Sequence, residues 1–97
     1  MPSKYEKKAK KELESQDWMV DVKWGMNRYS RYNDYFGLFD LLAYRFGDPM
    51  RWISIKGHAG VPRAHREAVR AFFLPLSNQK EIWTYTKKGK VKKEIIK

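Results

Sequence analysis

Apolar and polar positions change their rhythm several times along the chain, and each change marks an element. Over residues 3–16, Tyr5, Ala9 and Leu13 recur at helical spacing among lysines and glutamates. This predicts an amphipathic helix with one solvated side. Ser3 and Glu6 fit a capping box at its start, and Ser15-Gln16-Asp17 ends it. From Trp18 to Trp24 the period becomes two. Trp18, Val20, Val22 and Trp24 share one face, and Met19, Asp21 and Lys23 the other, as in a half-buried strand. Residues 25–35 read as a polar, aromatic and basic loop. Leu38 to Phe46 is mostly apolar, which suits a strand covered on both faces. Gly47-Asp48-Pro49 is a turn, and Met50 to Lys56 a third strand. After a loop over 57–62, Pro62 opens a helix. It runs to Phe72 or Phe73 with Ala64, Ala68, Val69 and Phe72 facing inward, and Pro75 stops it. Glu81 to Thr86 and Val91 to Ile96 are short strands joined at Lys88-Gly89. The order is helix, three strands, helix, two strands, a mixed α/β domain with one central sheet.

Length adds that this is a single domain over residues 1–97, with a core small enough that a dimer is expected to help it. Charge adds a partner. Lys and Arg number 21 against 11 acidic residues, a net +10, so a polyanion is the first expectation. No apolar run approaches the roughly 20 residues that span a bilayer. The basic residues are spread along the chain rather than gathered on one amphipathic helix, which favours nucleic acid over a membrane surface. With no cysteine, disulfides and thiolate zinc sites are excluded. Two histidines, His58 and His65, are too few for a histidine metal cluster and read as surface residues. The amino terminus has no apolar signal region, which predicts a cytoplasmic protein. The 15 aromatic residues, four Trp, six Tyr and five Phe, serve first to fill a small core.

Two features carry candidate chemistry. Asp40 lies inside an apolar stretch, where an aspartate is disfavoured and rarely buried unpaired. Lys56 ends the next strand, and side-chain alternation puts Trp52, Ser54 and Lys56 on one face. If the two strands pair as a hairpin, Asp40 and Lys56 converge. A carboxylate holding Mg2+ and a lysine beside it suit phosphodiester hydrolysis. The second feature is the loop Lys23-Trp24-Gly25-Met26-Asn27-Arg28-Tyr29-Ser30-Arg31-Tyr32-Asn33, whose forked arginines and short hydroxyl and amide groups are phosphate-binding material. Arg63, Arg66 and Arg70 form a stripe along the second helix that would grip a second backbone. The lysine-rich stretch from Lys87 to Lys97 would add nonspecific attraction. None of these reads bases, so recognition by shape is expected.

Together these residues resemble the PD-(D/E)xK nuclease superfamily, and within it the small archaeal Holliday junction resolvases. The segment from Tyr5 to Glu14 with Asp17-Trp18 resembles that family's first helix, with Glu6 at its acidic position. Phe36-Gly37-Leu38-Phe39-Asp40 resembles the segment with the metal-binding aspartate, and Ile53-Ser54-Ile55-Lys56 the (D/E)xK strand. The resemblance implies a restriction-endonuclease-like fold and a homodimer acting on structured or branched DNA. It implies Mg2+ or Mn2+ held by Glu6, Asp40 and the backbone carbonyl of Ile55, with Lys56 aligning water and phosphate. Lys23, Arg28, Ser30 and Arg31 would contact the DNA, and Ser30 matches a functional serine. No small-molecule substrate is implied. The departure is Ser54, which stands where the family has a carboxylate ligand.

Plainer readings stand beside these. Glu6 serves as the capping partner of Ser3, Asp40 pairs with Lys56, Ser54 fills the edge of the core, and the arginine stripe is a solvated helix face. Two rival functions follow: a non-catalytic nucleic-acid-binding module with a degenerate site, and an RNA-binding domain whose aromatics stack on single strands.

Overall fold

The computed structural model describes residues 4–22, 38–75 and 77–97. Helix α1 spans Lys4–Ser15 and strand β1 Met19–Val22; β2 is Leu41–Tyr44 and β3 Met50–Lys56; helix α2 is Arg63–Ala71; β4 is Asn78–Tyr85 and β5 Val91–Ile96. The fold is mixed α/β, with a five-stranded sheet in the order β1-β2-β3-β4-β5. Neighbours run antiparallel except β3 and β4, which are parallel. Parallel neighbours require a crossover, and α2 supplies it. Among the described residues no helix is long and apolar enough to cross a membrane.

The sheet separates two apolar clusters. On one face Ala9 and Leu13 of α1 pack against Trp18, Val22, Leu41, Ala43, Ile53, Ile55, Trp83 and Tyr85. On the other, Val69 of α2 and Phe72 just after it pack against Phe39, Trp52, Ile82 and Ile96. Phe39, Trp52 and Phe72 meet there, with Phe39 edge-on to the other two at centroid separations of 5.7 and 5.6 Å. Strand alternation thus sends Ile53 and Ile55 to α1, and Trp52 and Ser54 to α2. Both faces of β3 and β4 are covered, so side chains on each side, such as Ile53 and Trp83 toward α1 and Ser54 and Ile82 toward α2, are buried.

Three expectations need adjustment. The regular pairing of β2 starts only at Leu41, and Phe46 at its far end is 91% exposed, so Leu38 to Phe46 is not one doubly covered strand. β4 begins at Asn78, three residues before Glu81. The inward side of α2 is also turned: Ala64 and Ala68 are exposed, while His65, Arg66, Val69 and Phe72 are half-buried or buried. Alanine gains little from burial, whereas His65 and Arg66 find partners on the sheet. Arg66 makes a two-pronged ion pair with Glu94 of β5, at 2.6 and 3.1 Å.

Candidate functional site

Asp40 lies against the C-terminal part of β3, the strand that ends in Lys56. β2 and β3 do pair as an antiparallel hairpin, with Leu41 opposite Ile53. The N–H of Asp40 also reaches the carbonyl of Ile53, at 2.8 Å. Two residues of one strand therefore face one of the other, which is a β-bulge. Its effect on side-chain direction is visible in the core. Phe39 and Leu41 would share a face in a regular strand, yet Phe39 belongs to the α2 cluster and Leu41 to the α1 cluster. Asp40, at the break, turns along the edge of β3, and its Oδ2 accepts the Ile55 N–H at 2.7 Å. A carboxylate inside an apolar stretch thus has a main-chain donor, the N–H of the Ser54–Ile55 peptide.

Helix α1 reaches the same end of the sheet. The ring of Tyr5 stacks on Tyr85 at 5.2 Å. It also lies so close to Gly57 that a Cβ there would meet it at 3.0 Å. Glu6 is the next residue. It is half-buried and falls one helical repeat before Leu13, on the stripe that faces the sheet. Glu6 and Asp40 therefore approach the same end of the sheet, but alternation sends Lys56 with Ser54 to the α2 face, opposite to the α1 face from which Glu6 comes.

Ser54 lies on the α2 face and is fully buried. Its Oγ is 2.8 Å from Nε2 of His65. The expectation that both histidines are surface residues holds for His58, which is exposed, but not for His65, which is half-buried. The spacing of His65 from Val69 and Phe72, four and seven residues, is the pattern that could have revealed it.

The donor set suits a hard divalent cation in kind. Glu6 and Asp40 offer carboxylate oxygens, and a strand residue turns its C=O to the same edge as its N–H, so the Ile55 carbonyl faces the Asp40 side. Among the described residues no three His, Cys, Asp or Glu side chains assemble as a metal-holding group. The expected set, two carboxylates and one carbonyl, is smaller than that. Ser54, neutral and engaged by an imidazole, adds no charge.

The remaining candidates divide. Arg63 and Arg70 are exposed on α2, with Arg70 3.4 Å from Glu67, while Arg66 is committed to Glu94 and does not join them as a free stripe. Lys23, Arg28, Ser30 and Arg31 lie outside the described residues, as does Ser3 of the expected capping box. No family model, no characterised protein and no solved structure matches this chain.

Proposed function

We propose that this protein is a metal-dependent DNA endonuclease of the PD-(D/E)xK kind, with a restriction-endonuclease-like sheet, acting as a homodimer on structured or branched DNA. The observation that carries the reading is the bulge at Asp40, which lays a carboxylate against the Ile55 peptide, one residue from Lys56. Bulges that re-aim a side chain are over-represented beside active sites. Asp40, Glu6 and the Ile55 carbonyl would hold Mg2+ or Mn2+, which when bound neutralises phosphate charge and makes a water nucleophilic at neutral pH. Lys56 contributes a cation that stabilises the charge developing on the phosphate. Arg28, Ser30 and Arg31 position the DNA backbone.

A nicking assay tests this on branched and linear DNA, with Mg2+, with Mn2+ and with chelator. Cleavage is expected in metal only. Asp40→Asn, which keeps an acceptor for the Ile55 N–H, and Lys56→Gln should each lower the rate by about 10²-fold or more. Their melting temperatures should stay close to that of the parent.

Ser54 favours a second reading, a nucleic-acid-binding module on the same fold that does not cut. A fully buried serine tied to His65 replaces a charge that catalysis would use. DNA binding with no cleavage of any substrate in either metal decides for it.

A further inference from the structure

A lysine-lined depression lies where α1 meets the turn between β4 and β5. It measures about 270 Å³ and is walled by Lys4, Tyr5 and Lys8 of α1 and by Lys87, Lys88 and Gly89 of the turn. Lys8 and Gly89 are 81 residues apart in the chain, yet Lys8 Nζ donates to the Gly89 carbonyl at 3.3 Å. Gly89 has φ +85°, and a Cβ on it would sit 2.7 Å from Lys8 Nζ. The turn thus needs glycine for its backbone, and the Lys8 ammonium tip lies where a side chain would begin. All four lysines of the wall are exposed, and no acidic residue joins them there.

Four like charges around one concavity repel one another and raise the cost of the compact state. Lys4 also stands in the first turn of α1, at the positive end of its dipole, where a cation is unfavourable. A bound polyanion relieves both penalties. We propose that this depression is a subsite for the sugar–phosphate backbone of duplex DNA. It deepens the endonuclease reading and rests on it for the identity of the nucleic acid. The ring of Tyr5 forms one wall of the depression and lies against Gly57, next to Lys56. A backbone held by the lysines would therefore run past the end of β3, against which Asp40 lies. A lipid surface fits less well. Surface-binding segments combine basic residues with exposed apolar ones that enter the bilayer. The large exposed apolar residues among those described, Met19, Tyr44, Phe46, Phe73 and Ile95, do not line this depression.

The test measures binding of a labelled duplex by fluorescence anisotropy in chelator, so that nothing is cut, across a range of salt. Lys87→Gln/Lys88→Gln removes two wall charges and leaves Gly89 in place. Lys7→Gln/Lys11→Gln removes two exposed charges that do not line the depression, and circular dichroism checks that both variants fold. The wall variant should bind about tenfold more weakly, and the slope of log affinity against log salt should shrink by about 2, roughly one for each phosphate left without its lysine. The control should change the slope little. Equal losses in the two variants, or none in the wall variant, overturn the subsite while the cleavage assay still judges the hydrolase. A parent protein that binds no duplex at low salt overturns both. Equal or tighter binding to phosphatidylserine vesicles, abolished by the same wall substitutions, assigns the depression to lipid and overturns the DNA subsite.

Discussion

Glu81 is a carboxylate in the middle of a sheet, 2% exposed, with four donors on its two oxygens. Arg51 supplies Nε and Nη2 at 2.6 and 2.7 Å, Trp83 its Nε1 at 2.8 Å and Gln79 its Nε2 at 2.8 Å. Burial pushes the carboxyl upward, but the hydrogen bonds from Arg51 and Trp83, the Arg51 charge and Gln79 together outweigh it. The group is held below its ordinary value of 4.5. A carboxyl depressed by folding stabilises the fold above its unfolded pKa, and that stabilisation fades as the pH falls through the folded value. Glu81→Gln should therefore cost about 3 kcal/mol at neutral pH, since it leaves Arg51 partly buried without its counter-charge. In urea unfolding the gap between parent and variant should narrow as the pH is lowered below 4.5. A gap unchanged from pH 7 to pH 3 would mean that the ionised carboxylate is not what matters. Asp40 is legible in the sequence by the same reasoning, as a carboxylate too apolar in its surroundings to be incidental. The bulge that aims it is not. A bulge depends on the pairing of two strands and leaves no mark in either strand alone. Ser54 stands out for what it replaces, while its partner His65 does not, because eleven residues and a change of element separate them.

Elements are legible where one period dominates and less so where polar residues are drawn inward. Met50–Lys56 and Val91–Ile96 run where their apolar patterns place them. In α2 the alanines suggest the wrong face, because Arg66 and His65 are held by Glu94 and Ser54, partners on strands that sequence periodicity does not consult. The end of that helix depends on the sheet in a similar way. Lys80 of β4 sends its ammonium to the carbonyls of Val69, Arg70 and Phe72, each at 2.8 Å. The Val69 carbonyl also accepts the Phe72 N–H at 3.2 Å. The carbonyls at a helix C-terminus are groups the helix leaves short of partners, and a cation there also opposes the negative end of the dipole. Burial, and then repulsion from Arg70, lowers the pKa of Lys80, so the contact works against a real desolvation penalty. Replacing Lys80 with Met keeps much of the stem and removes the donors. The loss should be about 1–2 kcal/mol by denaturant unfolding. Amide hydrogen exchange should quicken over Val69 to Phe72 and leave α1 unchanged. Uniform quickening throughout the chain would place Lys80 in the general core rather than at the helix end.

At the scale of the molecule, the net charge of +10 has few internal outlets. Described ion pairs such as Arg51–Glu81 and Arg66–Glu94 each use an acidic residue, and the chain has only 11 of those against 21 Lys and Arg. The surplus is displayed on a three-layer body whose candidate site and lysine-walled depression share one end. Composition makes the surplus legible. Its convergence is not legible, because the lysines of α1 and of the β4–β5 turn come from opposite ends of the chain. If the surplus engages DNA phosphates, affinity must follow the release of condensed counterions. Neutralising about six or more phosphates would weaken binding by about 10³-fold between roughly 50 and 200 mM salt. Because the lysines and arginines meet the backbone, the slope should be the same for duplexes of unrelated sequence. Anisotropy titrations in chelator, run with two such duplexes, measure both quantities. A shallow slope would show that the cations of this face do not meet phosphates. Slopes that differ between the two sequences would point to recognition of base edges, which neither the arginine-rich segment nor the lysine wall is built to make.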